Sequence, residues 1–231
     1  MLNTVISRTL TAALSVAALT LAACSGETGG SSSTPDVDVD PYLEDVVMGD
    51  ESAPVEIIEF ASLSCPHCRD FWKQEFPRIK TNYIDTGRVR YVLKDFPTAP
   101  AELAIAATAI ARCAGEDGYY DVVDDVFTQY HDIMDALRSN TGVLPILIQI
   151  GDRAGLSTDE VRACINHPGI QDYIDGVMTE AAEMGVNSTP TIFVNGELVS
   201  PHDYESLSAK IDSILDPNAA AAEPANAEGS E

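Results

Sequence analysis

The sequence has few positive charges and, beyond its first residues, no long hydrophobic run. Its 231 residues carry 13 Lys and Arg against 37 Asp and Glu, which gives a formal net charge of −24. Such a field repels nucleic-acid phosphates and anionic lipid headgroups, so the composition argues against nucleic-acid binding. The apolar run at residues 9–23 is shorter than the roughly 20 residues of a membrane-spanning helix. We therefore expect no transmembrane segment in the mature protein.

The first 23 residues have the layout of a secretory signal peptide. Arg8 is their only charged side chain, and an Ala- and Leu-rich run leads to small residues before Cys24. Residues 21–24, LAAC, resemble the lipobox of bacterial lipoproteins, in which the cysteine is lipidated and becomes the first mature residue. The alternative is an ordinary signal peptide cut near Ala23, with Cys24 a spare thiol. We expect a lipoprotein held by lipid alone on the periplasmic side of a bacterial cell envelope.

Two low-complexity segments bound the region that is expected to fold. Residues 24–41 contain the run SGETGGSSSTP, which lacks apolar periodicity, so we predict a flexible tether there. Residues 216–231 are predicted to form a disordered acidic tail. The length between these segments and the hydrophobic content of 45% fit one globular domain.

Five cysteines are an odd number for an exported protein. If Cys24 carries lipid, spacing sorts the others into Cys65 with Cys68 and Cys113 with Cys164, and an oxidising compartment favours disulfides in both pairs. Structural zinc would need a second close pair, whereas Cys113 and Cys164 are 51 positions apart, so we expect no metal. Two buried free thiols are the alternative for these two cysteines. We favour a disulfide, which would stabilise the fold by a few kcal/mol.

The segment SLSCPHCRDFW, residues 62–72, places Cys65 between a predicted strand and a predicted helix. Residues 55–60 form a short β-branched run typical of a buried strand, and apolar side chains then recur at helical spacing. Cys65 would lie at the helix N-terminus, where unpaired N–H groups and the helix dipole favour a thiolate. His67 can add a donor or a positive charge, and Cys68, one turn later, can close a disulfide. The pattern predicts a reactive dithiol.

Further along the chain the sequence indicates an α/β protein. The first helix is expected to end at Gly87. Strands are predicted at residues 88–93 and on both sides of the hairpin signal Asn195-Gly196. Further helices are predicted at residues 101–114, 119–131, 144–154, 158–165, 170–184 and 203–215. This order is that of a thioredoxin fold interrupted by an all-helical insert. The thioredoxin fold would comprise residues 42–98 and 186–215, and the insert residues 99–185.

The stretches EFASLSCPHC and GVNSTPTIFVNG, with the helical stretch between them, resemble the DsbA family of bacterial envelope thiol-disulfide oxidoreductases over about residues 44–215. The Pro-His dipeptide between the cysteines is associated with strongly oxidising members. The resemblance implies that Cys65 attacks or is attacked and that Cys68 resolves the mixed disulfide. It also implies that Thr189-Pro190 forms a cis-proline loop opposite the dithiol.

Glu59 matches an acidic residue that this family carries in the strand below the site, and the resemblance implies that it helps to move protons. An exposed strand carboxylate is the alternative, since alternation with its apolar neighbours allows it. The dithiol itself would carry the electrons, so no cofactor is expected. The implied partners are reduced or unfolded exported proteins and a membrane redox partner. Cys113, Cys164 and the lipobox depart from the best-known members, so the partners of those members do not carry over directly.

Three classes of function fit these features. The first is an oxidase that donates the Cys65–Cys68 disulfide to exported proteins. The second is a reductase or isomerase on the same fold, kept reduced by a membrane electron donor. The third is a non-catalytic module that binds extended peptides or metal, which would not need the Cys-x-x-Cys motif. Dimeric isomerases of this type have a sizeable N-terminal dimerisation domain where this sequence has a tether, so we expect a monomeric oxidase.

Overall fold

The computed structural model describes residue 37 and residues 43–217. The predicted signal peptide, Cys24, the tether apart from residue 37, and the tail beyond residue 217 lie outside these residues. Within the described part, none of the helices combines the length and the apolar character needed to cross a bilayer.

A five-stranded mixed sheet forms the centre of the fold, in the order β1-β3-β2-β4-β5. Its strands are β1 (Val47–Gly49), β2 (Val55–Ala61), β3 (Val89–Asp95), β4 (Thr191–Val194) and β5 (Glu197–Val199). β2 and β3 run parallel, whereas each of the other adjacent pairs is antiparallel. β2 and β3 are also largely buried, as expected for parallel strands that are covered on both faces.

Helices precede and follow β3, and one more follows the hairpin of β4 and β5. They are α1 (Pro66–Gln74), α2 (Phe76–Ile79), a π-helical turn (Lys80–Ile84), α3 (Ala101–Cys113), α4 (Gly115–Thr128), α5 (Tyr130–Arg138), α6 (Leu144–Arg153), α7 (Thr158–Ile165), α8 (Pro168–Glu183) and α9 (Tyr204–Leu215). The helices α3 to α8 lie between β3 and β4 in the chain, which gives the interrupted order that the sequence predicts.

The first helix is shorter than predicted. It ends at Gln74, and the chain continues as α2 and the π-helical turn before it reaches Gly87. Pro77 explains the break, because it has no N–H to donate and its ring clashes with the preceding turn of a continuous helix. In the structure Pro77 lies in the first turn of α2, where a missing N–H costs nothing.

The sequence patterns do not predict β1 or α5. β1 is three residues long and pairs with β3, with Met48 opposite Tyr91. The helix predicted at residues 119–131 covers most of α4 and only the first two residues of α5, and the backbone leaves helical geometry between them at Gln129, with φ −92° and ψ 11°. The second of them, α5, brings Tyr130 toward the redox motif.

A buried charged cluster connects the helical insert to the end of β3. Arg112 in α3 has no exposed surface and donates from Nη2 to Asp95 Oδ2 at 2.8 Å. A buried ion pair is tolerated only when its remaining lone pairs are also satisfied. The other donors to this carboxylate are the hydroxyl groups of Thr108, Tyr119 and Tyr173.

A disulfide lies directly beside this cluster. Cys113, the last residue of α3, is bonded to Cys164 in α7. The alternative of two buried free thiols is therefore not what the structure shows. The bond joins two helices of the insert, close to the point where Arg112 connects the insert to the sheet.

Candidate active site

Cys65 lies where β2 gives way to α1. It is the N-terminal cap of the helix, with an extended backbone at φ −86° and ψ 125°, and Pro66 begins the first turn. The residue is 6% exposed, so only an edge of it reaches solvent. Its Sγ is 3.5 Å from the carbonyl oxygen of Thr189. Cys65 and Cys68 are both free thiols, so the geometry is that of the reduced dithiol.

The surroundings of Cys65 favour its thiolate. They lower its pKa from an ordinary value of 9.0 to about 5. The largest cause is a hydrogen bond from the Cys68 thiol. The Thr189 side chain and the backbone N–H groups of Cys68 and His67 act in the same direction, while partial burial opposes them. Cys65 is therefore ionised at neutral pH, which is the reactive state of a cysteine.

Cys68 has the opposite character. It has no exposed surface, and its pKa lies well above the ordinary value, first because of burial and then because of Cys65 and Glu59. The backbone N–H of Ser62 acts against this rise and lies 3.4 Å from Cys68 Sγ. One motif thus holds a thiolate with only an edge in solvent and a fully buried, protonated thiol beside it.

Glu59 lies in β2 and is buried, with 1% of its surface exposed. The alternative of an exposed strand carboxylate is therefore wrong. Tyr91 in β3 donates its hydroxyl to Glu59 Oε2 at 2.5 Å. Burial raises the pKa of Glu59 to about 8; the hydrogen bond from Tyr91 opposes this rise and the charge of Cys65 adds to it. Glu59 is therefore mostly protonated at pH 7 and able to exchange a proton near neutral pH.

The remaining predicted residues lie beside Cys65. The peptide bond between Thr189 and Pro190 is cis, and Pro190 is buried while Thr189 is half-buried. His67 is exposed, and its backbone N–H is one of the groups that favour the Cys65 thiolate. The described residues contain no group of three or more His, Cys, Asp or Glu side chains placed to hold a metal ion.

Sequence reasoning missed four polar residues in and around this site. Ser62 and Ser64 are buried directly before Cys65, and Tyr130 in α5 donates its hydroxyl to the carbonyl of Ser64 at 3.3 Å. Arg69 in α1 lies over the Tyr130 ring, 5.2 Å from its centroid. The two serines were visible as the only hydroxyls of SLSC. Tyr130 lies 66 positions after Ser64, and no local pattern links them.

The fold and the dithiol define a thioredoxin-like protein, and a family comparison agrees. The family model described as Thioredoxin matches residues 42–213, and the chain belongs to that family. The crystal structure of alpha-DsbA1 from Wolbachia pipientis superposes with a TM-score of 0.68 at 25% identity, covering 78% of this chain and 95% of that one. The predicted fold class and the resemblance to DsbA-like proteins are confirmed.

Curated relatives show the same similarity. A Rickettsia conorii protein provisionally named protein-disulfide oxidoreductase is 28% identical over 181 residues, covering 74% of this chain and 61% of the relative. A Bacillus anthracis protein provisionally named disulfide bond formation protein D is 27% identical over 179 residues, covering 75% of this chain and 80% of the relative. The chain thus spans about three fifths of the length of the Rickettsia relatives that it matches.

Proposed function

We propose that this chain is a thiol-disulfide oxidase that donates the Cys65–Cys68 disulfide to reduced or unfolded exported proteins. The observation that carries the proposal is the opposite perturbation of the two sulfurs: the pKa of Cys65 falls to about 5 while that of Cys68 rises. A stabilised thiolate favours the reduced dithiol, and a disulfide whose reduced form is stabilised is a stronger oxidant. The names of the DsbA-like relatives support the same reaction class.

The reaction begins on the oxidised dithiol. A substrate thiolate attacks Cys65 Sγ, the Cys65–Cys68 bond breaks, and a mixed disulfide forms between the substrate and Cys65. Cys68 leaves as a thiolate and takes up a proton, and we assign the supply of this proton to Glu59, whose pKa is about 8 and whose charge acts on Cys68.

A second substrate thiolate then attacks the substrate sulfur of the mixed disulfide. Cys65 leaves as a thiolate, and its low pKa makes it a good leaving group. The substrate has lost two electrons and gained a disulfide, and the dithiol is reduced. The two electrons that the substrate loses are held by the sulfur atoms of Cys65 and Cys68, so the exchange uses no cofactor. A membrane redox partner then reoxidises the dithiol.

We assign Thr189 and Pro190 to the wall that faces the substrate, because the Thr189 carbonyl is 3.5 Å from Cys65 Sγ. His67, exposed beside the nucleophile, contributes its backbone N–H and offers its imidazole to the incoming substrate. The protein would act as a monomer on the periplasmic side of the envelope, attached by lipid on Cys24.

Trapping of intermediates tests the roles of the two cysteines. The Cys68→Ser variant is first converted to its Cys65–glutathione mixed disulfide with oxidised glutathione. A thiolate of a reduced exported protein should then displace glutathione, and the resulting mixed disulfide through Cys65 should accumulate, seen on non-reducing gels and mapped by mass spectrometry. The Cys65→Ser variant is the matched control and should trap none. Equal trapping by both variants would contradict the assignment.

The reduction potential separates the oxidase from the reductase. Equilibration of the dithiol with glutathione buffers should give a potential more oxidising than that of the glutathione couple. A more reducing value would reject the oxidase and favour a protein that is kept reduced.

A further inference from the structure

We infer that the hydroxyl groups of Ser62 and Ser64 are a positioning device that holds a hydrogen-bond donor on the sulfur of Cys68. We call these two side chains the hydroxyl pair. The inference rests on the proposed function, since it concerns the step in which Cys68 forms or breaks its bond to Cys65.

The hydroxyl pair continues the pairing of β2 with β3 beyond the end of both strands. Ala61, the last residue of β2, still accepts a main-chain hydrogen bond from Phe96 N at 2.8 Å. After it, Ser62 Oγ accepts from Thr98 N at 3.1 Å, and Ser64 Oγ donates to Thr98 O at 3.0 Å. Side chains therefore satisfy both main-chain polar groups of Thr98.

The two hydroxyl groups also bind each other, with their oxygens 3.0 Å apart. Because the Ser64 proton goes to Thr98 O, Ser62 is the donor in this contact. Ser64 N lies 3.4 Å from Ser62 Oγ and adds a further donor to it. Both serines are 1% exposed, so water does not compete for these hydrogen bonds. The network fixes the main chain of the segment just before the redox motif.

This fixed main chain directs the Ser62 N–H at Cys68. The distance from Ser62 N to Cys68 Sγ is 3.4 Å, and the Ser62 carbonyl accepts from Cys65 N at 3.0 Å. The groups that otherwise act on Cys68 are Cys65 and Glu59, and both disfavour a second negative charge. The Ser62 N–H is thus the contact that favours a Cys68 thiolate, and the hydroxyl pair holds it in place.

Glutathione gives a direct assay of the step at Cys68. In the first phase the Cys65 thiolate attacks oxidised glutathione, which forms a Cys65–glutathione mixed disulfide and releases one glutathione. In the second phase the buried Cys68 gives up its proton, which reaches solvent by way of Glu59, and its thiolate attacks Cys65 Sγ. The bond to glutathione breaks, the second glutathione leaves as a thiolate and takes up a proton, and the Cys65–Cys68 disulfide remains.

Acid-quenched flow with mass spectrometry measures the two phases separately in the full chain. Ser62→Ala keeps the Ser62 N–H but removes the hydroxyl that holds it in place, so the hydrogen bond to the Cys68 thiolate weakens. The second phase should slow about three- to tenfold, because the higher nucleophilicity of a more basic sulfur offsets part of the effect. Ser64→Ala should slow it by a smaller factor. The first phase, and the pH midpoint of Cys65 alkylation by iodoacetamide, should stay at their wild-type values.

Ser157→Ala is the matched control. Ser157 caps α7, accepts a backbone hydrogen bond from Glu160 N at 3.3 Å and lies outside the site, so its loss lowers stability without touching Cys68. This variant should keep the wild-type second phase.

A wild-type second phase in Ser62→Ala, or equal slowing of both phases, overturns the inference. If Ser62→Ala does not fold, Ser64→Ala carries the same test, and a wild-type second phase in that variant overturns it. If the wild-type protein itself does not exchange with glutathione, the proposed function fails instead.

Discussion

Reduction of the Cys65–Cys68 disulfide should stabilise the folded protein at neutral pH and destabilise it in acid. The folded protein lowers the pKa of Cys65 from 9.0 to about 5. For a depressed pKa, the stabilisation is complete above the unfolded value and is lost as the pH falls through the folded value. With about 1.4 kcal/mol for each tenfold change in protonation, the thiolate contributes about 2.7 kcal/mol at pH 7 and about 5 kcal/mol at pH 9.

The oxidised form has a competing advantage. A disulfide restricts the unfolded chain, and closing the four-residue loop from Cys65 to Cys68 is worth about 1.9 kcal/mol. The reduced form should therefore be more stable by about 1 kcal/mol at pH 7 and about 3 kcal/mol at pH 9, and less stable by about 1.5 kcal/mol at pH 5. The two forms should have equal stability near pH 6.

Urea denaturation followed by circular dichroism measures this difference. The Cys113→Ala, Cys164→Ala variant is the suitable host, since only the active pair then changes between its oxidised and reduced forms. Glu59 is present in both forms, so its own titration largely cancels. A reduced form that is less stable at every pH from 5 to 9, or a difference that does not change with pH, would refute the reasoning.

Three further predictions concern single features of the chain. Burial raises the pKa of Glu59 from 4.5 to about 8. As the pH rises from 4.5 to 8, Glu59 is increasingly ionised in the unfolded chain but protonated in the folded protein, so it destabilises the fold. Glu59→Gln should therefore be more stable by about 3 kcal/mol at pH 7 in urea melts yet exchange thiols more slowly; unchanged stability would contradict this. The cysteines Cys113 and Cys164 are 51 positions apart, so removing their disulfide should lower the free energy of unfolding by about 4 kcal/mol in the same melts. A negligible decrease would argue against a stabilising role for this disulfide. Mass spectrometry of the native protein should find a lipidated N-terminal Cys24, and an unmodified N-terminus would exclude the anchor.

Most elements of the fold could be predicted because their order comes from local patterns. β2, the start of α1 and the hairpin at Asn195-Gly196 follow from apolar spacing and turn chemistry within about ten residues. β1 could not be predicted, because three residues are too short a run to show an alternating pattern and gain their order from pairing with β3. The boundary between α4 and α5 is a change of backbone geometry at one residue, Gln129, which no local pattern indicates.

The candidate active site also has a part that the sequence predicts and a part that it does not. Cys65 and Cys68 belong to one short motif, so their chemistry follows from sequence and helix position. The contact between Glu59 and Tyr91 depends on the register of β2 against β3, where Glu59 lies opposite Leu93 and Tyr91 is two residues earlier. That register is set by the packing of the whole sheet, so the partner of the buried carboxyl is visible only in three dimensions.

The cluster around Asp95 restricts how this sequence can diverge. A buried charge that loses its partner typically costs about 3–5 kcal/mol, whereas an apolar pair of similar volume is often tolerated. Substitution of Asp95 alone would remove the carboxylate that pairs with the Arg112 guanidinium. It would also remove the acceptor of the hydroxyl groups that donate to that carboxylate. Related sequences can therefore lose the cluster by substituting Asp95 and Arg112 together. Substitution of either residue alone would give a poorly folded intermediate.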